Sequence, residues 1–403
     1  MPEPRSPAAR PRWWPHFSST LRATAVTARL GRVLGIAIAI CFVTGLLSEK
    51  QYHPLTWLPW PATPVWIYRV TQGVHVLVGT ACIPLVLVKL WSVYPNLWRF
   101  PPLASVRNAL ERASVAVLVA ATLVQLVTGF INSLDWYPFG FYFVDVHHYL
   151  AWVVTGSVVL HVAVKLPEIV HGLRTRVADD DVLTEVPPEE HSLDDAGGAP
   201  EPVLAPATPG LSRRGVLVAT GAGIGVVVLT TAGQSVTPLE PVGLLAMRQW
   251  HRGPQGVPVN RTAEGAQVVD LAQDPGWSLQ VDGTSSFRLG IADLEPAATA
   301  EGRFPIACVE GWSVGASWRG LRLIDLVRRA GGDASSTVLL ESLEPFGLYR
   351  TSTIAGPQLV AALLATHLNG RRLDVDHGYP LRLIAPDRAG VLNTKWLSRL
   401  EVR

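Results

Sequence analysis

Charged side chains are scarce in this sequence. They make up 16% of its 403 residues, against about 25% in a typical soluble domain. The formal net charge is only +2, and there is no basic stripe, which argues against nucleic acid as a partner. Apolar residues account for 48% of the chain and are concentrated in its first 235 residues. The length allows about two or three domains, and the first of them has the composition of a membrane protein.

Cysteine is scarce too, with three residues in the chain. Cys41 and Cys82 lie within apolar runs, where a cysteine is most simply a small core residue. Cys308 is the one cysteine after residue 235, which excludes a disulfide within that part of the chain. A lone thiol there requires a chemical explanation.

Five apolar runs approach or exceed the length of a membrane span, which needs about 20 mainly apolar residues. Four of them predict an all-α transmembrane bundle over 30–177. The fifth, weaker and rich in glycine, predicts an anchor helix within 211–235. The predicted helices cover 30–48, 66–92, 113–133, 147–167 and 215–233.

The basic residues of the short loops predict the orientation, because Lys and Arg favour the cytoplasmic side. They cluster in the N-terminal segment 1–29, after the second run and after the fourth. The loops at 49–65 and 134–146 are rich in aromatic residues and proline, which suit the outer interface. We therefore expect a multi-pass protein of the bacterial plasma membrane, embedded in the lipid bilayer. Its N-terminus would be cytoplasmic and its C-terminal domain, 250–403, extracytoplasmic.

Two segments separate the bundle from the C-terminal domain. Residues 178–210 contain no Lys or Arg and many Asp, Glu and Pro, a composition typical of a disordered cytoplasmic linker. The segment 212–217 reads SRRGVL and resembles the twin-arginine signal S-R-R-x-F-L, with Val216 in place of Phe. The resemblance implies the twin-arginine export machinery as a partner. Alternatively, the two arginines simply follow the preference of basic residues for the cytoplasmic side.

Four histidines fall within the predicted membrane helices, where ionisable residues are costly and are functional candidates. They are His75 on the second helix and His147, His148 and His161 on the fourth. Haem iron with two imidazole ligands needs one histidine from each of two facing helices. Because His75 and His147 have matching depth near the outer surface, we expect them to ligate one haem b, with His148 as the substitute ligand.

A second, inner haem site looks incomplete. His161 lies 14 residues after His147, which is about 21 Å further along the helix and on the same face. The residue equally spaced after His75 is Lys89. His161 either ligates a second haem or is a packed remnant, and all four histidines could instead form hydrogen bonds within a bundle. The region resembles, by pattern, bacterial b-type cytochrome subunits of respiratory oxidoreductases.

Residues 250–403 have a soluble composition, with short β-like runs between turn residues. The runs are VVDLA, SLQVDG, VLLESL and LRLIAP. Helices are expected over 321–330, before a Gly-Gly pair, and over 357–368, which starts at a proline and ends near Asn-Gly. Strands with few helices and no βαβ regularity predict an α+β domain.

The stretch 303–331, RFPIACVEGWSVGASWRGLRLIDLVRRAG, resembles the molybdopterin-binding domain of the sulfite oxidase family. Further segments fit that family in order: PQGVPVNR at 254–261, WSLQVDG at 277–283, LNG at 368–370, HGYPLRL at 377–383 and NTKWL at 393–397. In that family the lone cysteine ligates molybdenum, as suits a soft thiolate, and this role would fall to Cys308.

The resemblance implies roles for four further residues. His377, Arg382 and Lys395 would contact the pterin at its phosphate end, where cationic side chains are the expected partners. Asn260 would lie near the metal. Without the family, these residues could equally be a turn histidine, solvated strand ends and a helix cap.

The motif departs from sulfite oxidases proper, which follow the cysteine with Gly-Asn and sulfite-binding arginines. Here the cysteine is followed by VEGW at 309–312, which is closer to the bacterial sulfoxide-reductase branch. We therefore expect a membrane enzyme with molybdopterin and haem b that takes electrons from quinol to reduce an S-oxide or N-oxide. The alternatives are a dehydrogenase that passes electrons from a small oxyanion such as sulfite to quinone, and a cofactor-free, membrane-anchored binding module.

Overall fold

The computed structural model describes residues 20–55, 57–98, 105–134, 136–138, 140–177, 212–246 and 253–403. The linker predicted at 178–210 lies outside the described residues, as does most of the predicted segment 1–29. The chain divides into two compact units. One unit comprises Met1–Ile38, Ala81–Gln125 and Tyr149–Val226; the other comprises Ala39–Thr80, Leu126–His148 and Val227–Arg403.

Five long helices occupy the N-terminal part of the chain. They are α1 Thr24–Tyr52, α2 Ile67–Val93, α3 Val106–Ser133, α4 Phe143–Arg174 and α5 Arg213–Ala232. Each predicted apolar run is helical here. Helices α1, α3 and α4 extend beyond their runs, because the main-chain hydrogen-bond ladder continues into more polar residues. The boundary between the two units falls within each of the five helices.

The apolar side chains of these helices face outward. In the most apolar stretch of α4 only 6% of the residues are buried, and in that of α3 only 11%. Exposed residues include Ile36, Val117, Val159 and Leu160. Soluble proteins rarely expose apolar surface on this scale, so the five helices are compatible with membrane anchoring.

Residues 253–403 contain two five-stranded sheets. The first sheet contains β1 Ser278–Asp282, β2 Phe287–Gly290, β5 Thr337–Ser342, β6 Thr351–Ala355 and β10 Leu397–Val402. Its order is β2-β1-β10-β5-β6, with β1 and β10 parallel and the other neighbours antiparallel.

The second sheet is antiparallel. It contains β3 Ala300–Ala307, β4 Ser313–Arg322, β7 Leu363–Leu368, β8 Arg371–Arg372 and β9 Arg382–Ile384. The order is β3-β4-β7-β8, and β9 also pairs with β7. Four short helices complete the domain: α6 Val269–Gln273, α7 Ile291–Ala297, α8 Leu323–Arg329 and α9 Gly356–Ala361.

The main core of this domain is formed by strands of both sheets together with α8 and α9. Leu279, Leu340, Leu364 and Leu383 are fully buried there. A second buried cluster contains Trp312, Trp318 and Cys308. The lone thiol is therefore held within packed structure, and the mixed architecture is the α+β arrangement that the sequence predicted.

Two element predictions were wrong. The run VVDLA, 268–272, is mostly helical: the helix begins at Val269, and the buried residues Val268 and Ala272 are four apart, as on one helical face. The helix expected over 357–368 ends at Ala361, and the chain continues as strand β7. That strand pairs with β4 on one side and with β8 and β9 on the other, so sheet pairing overrides the local pattern.

Candidate functional site

Cys308 lies in the tight turn that joins β3 to β4. Its main-chain N–H donates to the carbonyl of Trp312 at 2.9 Å, and the N–H of Gly311 donates to the carbonyl of Cys308 at 3.1 Å. The residue is 1% exposed, and the thiol forms no disulfide. The turn thus presents one reduced sulfur atom in a fixed position, as a single-thiolate metal ligand requires.

The turn depends on a glycine that helix α2 approaches closely. Gly311 has φ of +94°, which side-chain-bearing residues rarely adopt. A Cβ atom at Gly311 would lie 2.8 Å from both γ-carbons of Val76. Glu310, next to it, is buried and accepts a hydrogen bond from Trp312 Nε1 at 2.9 Å. The cysteine turn and α2 are therefore packed together in one compact unit.

Asn260 is brought to the thiol from a distant part of the sequence. Its Nδ2 atom lies 4.0 Å from Cys308 Sγ, and its Oδ1 atom accepts from the N–H of Arg261 at 2.9 Å. Arg261 in turn forms an ion pair with Glu344 at 2.9 Å. The amide is thus oriented toward the sulfur, which agrees with its expected place beside a metal.

The three predicted cationic residues all donate to main-chain carbonyls. His377 Nε2 bonds the carbonyl of Pro254 at 2.7 Å. Arg382 donates to the carbonyls of His377 at 3.0 Å and Asn393 at 3.3 Å. Lys395 Nζ donates to the carbonyls of Arg261 at 2.7 Å and Asp376 at 2.8 Å. Among the described residues, neither Arg382 nor Lys395 forms an ion pair with a carboxylate, so their positive charge is left for an anionic ligand.

Burial and mutual repulsion act on the charges of this cluster. Burial lowers the pKa of Arg382 to about 10. Burial and, secondarily, the charge of Arg382 lower the pKa of Lys395 to about 7 and that of His377 to about 4. The guanidinium of Arg382 also lies 5.3 Å from the ring centre of Trp318. A phosphate group would relieve the repulsion, so this donor set fits the phosphate end of a pterin cofactor.

In the helical part of the same unit, His75 and His147 face each other. Their ring centres are 6.1 Å apart at an interplanar angle of 70°. Two imidazoles that share one metal ion through bonds of about 2 Å have ring centres about 6 Å apart. Glycines stand beside both rings: a Cβ at Gly45 would lie 3.2 Å from His75 Cε1, and one at Gly129 3.2 Å from His147 Cε1.

The Nδ1 atoms of both rings are held by hydrogen bonds. His75 Nδ1 lies 2.9 Å from the carbonyl of Cys41 and 3.1 Å from Thr44 Oγ1. His147 Nδ1 lies 3.0 Å from Thr128 Oγ1. Metal-ligating histidines commonly hold their second nitrogen in this way, which directs Nε2 to the metal. The geometry fits a haem iron between the two rings.

The other two membrane histidines have different surroundings. His148 Nδ1 lies 3.6 Å from the carboxylate of Glu49. His161 belongs to the other compact unit. In that unit, Lys89 donates to the carbonyl of Thr27 at 2.8 Å. The Nζ atom of Lys89 also lies close to Gly31, 3.1 Å from where a Cβ atom would stand if that residue had one. The structure thus brings His147, rather than His148, to His75, and it gives Lys89 a main-chain partner.

Sequence reasoning missed the residues that connect the helices to the cysteine turn. The carbonyl of Val309 accepts hydrogen bonds from Gln72 Nε2 at 2.8 Å and Asn132 Nδ2 at 3.1 Å. The carboxylate of Asp387 accepts from Trp60 Nε1 and from the N–H of Tyr68, both at 2.7 Å. One signal was available for Gln72, which lies one helical turn before His75. Asp387 carries no comparable signal, because its distinguishing feature is a left-handed φ of 53°, which a sequence does not reveal.

Comparison with known proteins supports the prediction of a molybdopterin-binding domain in the C-terminal region. Residues 266–403 match the family model described as the oxidoreductase molybdopterin binding domain. Human mitochondrial sulfite oxidase is 32% identical over 105 residues, which are 23% of this chain and 19% of that protein. Nitrate reductase [NAD(P)H] from Hordeum vulgare is 35% identical over 96 residues, or 21% of this chain and 11% of that protein.

A bacterial relative covers more of its own length. The uncharacterized oxidoreductase YuiH of Bacillus subtilis is 29% identical over 150 residues, which are 36% of this chain and 72% of that protein. The chain spans about a fifth of the sulfite oxidases that it matches, 19% for the human protein. The C-terminal region, residues 266–403, is therefore similar to molybdopterin-binding oxidoreductase domains.

Proposed function

We propose that the protein is a molybdenum-dependent oxidoreductase of the membrane, an S-oxide or N-oxide reductase that receives electrons from quinol through haem b. The pair of hydrogen bonds on the Val309 carbonyl carries the proposal. Gln72, one of the donors, lies one turn before His75, and Asn132, the other, lies one turn after Gly129, which packs on His147. His75 is thus connected to the cysteine turn through the segment 72–75 and one hydrogen bond, and His147 through its packing on Gly129, the segment 129–132 and a second hydrogen bond.

At the molybdenum site each residue has a defined task. The thiolate of Cys308 would hold the metal, with the amide of Asn260 beside it. His377, Arg382 and Lys395 would bind the phosphate end of the pterin. The bound cofactor supplies two-electron oxygen-atom chemistry. Overall, one sulfoxide and one quinol give one sulfide, one water and one quinone, which balances in atoms and electrons.

At the haem site His75 and His147 would hold the iron. A bound haem b supplies one-electron transfer. Thr44 and Thr128 hold the two Nδ1 atoms, which fixes the ring orientations and makes the imidazoles better donors to the metal. We propose a single haem at this position.

The cellular arrangement is part of the proposal. The outward-facing apolar helices support a position within the bilayer. The distribution of basic residues supports a cytoplasmic N-terminus and an extracytoplasmic catalytic domain in a bacterial plasma membrane. The segment 212–217 supports export of the folded domain by the twin-arginine machinery.

The similarity to sulfite oxidase favours one second candidate, a dehydrogenase that feeds electrons from sulfite to quinone. In that direction sulfite, water and quinone give sulfate and quinol, which also balances. The VEGW sequence after Cys308 lacks the arginines that hold sulfite in the family, which favours the reductase. Assays of the purified protein with an S-oxide plus quinol, and with sulfite plus quinone, separate the two directions.

The first experiment measures molybdenum per chain by elemental mass spectrometry in detergent-purified protein. The wild type is expected to hold about one molybdenum, consistent with a single thiolate ligand. Cys308→Ala is expected to lose S-oxide reduction and to retain the Soret absorbance of haem. Folded wild-type protein without molybdenum would instead support the cofactor-free binding module.

A further inference from the structure

Two tyrosine hydroxyls are buried beside the cysteine turn with no hydrogen-bond partner outside the pair. Tyr52 is the last residue of α1, and Tyr68 lies in the first turn of α2. Tyr68 is 1% exposed. The two hydroxyls act as hydrogen-bond partners of each other, and among the described residues neither has a partner outside this pair. A buried pair of hydroxyls with no partner outside the pair leaves part of its hydrogen-bonding capacity unused, which points to a ligand that completes it.

The position of the tyrosines relates them to the metal site. Tyr68 packs in one buried cluster with Ala307, the residue before Cys308, and with Ala389 and Leu392. Tyr52 lies against the same cluster. The hydroxyls therefore lie on the helix-facing side of the cysteine turn.

Asp387 fixes the ends of both helices. Its carboxylate accepts from the N–H of Tyr68 and from Trp60 Nε1, both at 2.7 Å. Its carbonyl accepts from Gln51 Nε2 at 3.0 Å, and Gln51 precedes Tyr52 in the chain. Because one segment of the C-terminal domain holds both helix ends, the two phenols are positioned before any ligand binds.

We propose that Tyr52 and Tyr68 form the subsite that binds the substrate's oxygen atom, with both phenol hydroxyls donating hydrogen bonds to it. The inference rests on the proposed function and names the residues that position its substrate. Two uncharged donors suit the partially negative oxygen of a neutral S-oxide or N-oxide. A doubly charged anion would also meet the carboxylate of Asp387 nearby. The membrane helices thus complete the substrate chamber of the molybdenum domain.

The test uses the full chain, loaded with its cofactors in detergent, with dimethyl sulfoxide as the probe. Tyr52→Phe, Tyr68→Phe and the double variant remove the hydroxyls and keep the rings. Each single variant is expected to raise KM about tenfold, the effect of losing one buried hydrogen bond to substrate. Molybdenum and haem per chain should equal those of the wild type. In cofactor-free protein the double variant should melt close to the wild-type temperature, since only the contact between the two hydroxyls is lost.

Tyr142→Phe is the matched control. Its hydroxyl is paired with that of Tyr349, so its removal should lower the melting temperature and leave KM unchanged. An unchanged KM in the Tyr52→Phe/Tyr68→Phe protein, in a wild type that reduces the sulfoxide, overturns this inference alone. A wild type that holds molybdenum and haem but reduces no oxide overturns the proposed function and this inference together.

Discussion

The imidazole rings of His75 and His147 lie 6.1 Å apart, centre to centre, on two different helices. That separation suits two imidazoles that would hold one iron ion, whereas His148 lies beside Glu49. We expect His75→Ala and His147→Ala to abolish the Soret absorbance of the purified protein, and His148→Ala to retain it. Loss of the Soret band in His148→Ala alone would contradict the ligand assignment.

The Gln72 side chain should couple the haem to the molybdenum site. Gln72→Leu leaves the Val309 carbonyl with the bond from Asn132 only. We expect electron transfer from haem to molybdenum to slow by about tenfold, equivalent to about 1.4 kcal/mol of lost stabilisation. Stopped-flow absorbance of the haem measures this rate. Gln280→Leu is the matched control, since its amide bonds Asp282 and Arg288 on the first sheet; an equal slowing there would refute the coupling.

Gly311→Ala should damage the cysteine turn. Alanine is strained at φ of +94°, and its Cβ would lie 2.8 Å from the γ-carbons of Val76. We expect a loss of about 1–3 kcal/mol in the free energy of unfolding, as for other strained main-chain positions. Reduced molybdenum content should accompany it. Gly315→Ala on strand β4 is the control, because its Cβ would meet nothing within 4 Å; equal destabilisation of both variants would argue against this account.

Lys395 should make the stability of the cofactor-free protein depend on pH. Burial, with a smaller contribution from Arg382, lowers its pKa to about 7, whereas a lysine in an unfolded chain titrates near about 10.4. Between these values the unfolded chain binds more protons, so the contribution of Lys395 to stability rises with pH from about 7 to about 10. Below pH 7 Lys395 is protonated in both the folded and the unfolded chain, so its contribution to stability no longer changes with pH.

Thermal melts of cofactor-free wild type and Lys395→Met between pH 6 and pH 9.5 check this expectation. The wild type should gain stability relative to the variant as pH rises. Loading the cofactor should flatten the dependence, because a phosphate beside Lys395 raises the pKa of its ammonium group. Parallel curves for the two proteins would show that Lys395 keeps its ordinary pKa.

The sequence was sufficient for the features that local chemistry determines. The apolar runs located the five long helices, and the depth argument paired His75 with His147, which the structure brings together. The family motif led to Cys308 and the cationic cluster, whose geometry fits a pterin. The strand Leu363–Leu368 was missed because its pairing with β4 and β9 decides its conformation, whereas its own residues suit a helix.

The residues that join the helices to the C-terminal domain were also missed. Gln72 and Asn132 resemble ordinary polar residues near helix ends until the Val309 carbonyl is found beside them. These contacts span 237 and 177 residues of sequence. Asp387 and Tyr68 are 319 residues apart. No local pattern encodes contacts at such separations, so only the folded structure shows them.

We propose that electrons reach the substrate through haem b and then through the metal held by Cys308. The most direct measurement mixes quinol-reduced protein with dimethyl sulfoxide under anaerobic conditions and follows the haem absorbance. We predict rapid haem oxidation in the molybdenum-replete wild type and none in Cys308→Ala with the same haem content. Haem oxidation at equal rates in both proteins, or none in the molybdenum-replete wild type, would contradict the account.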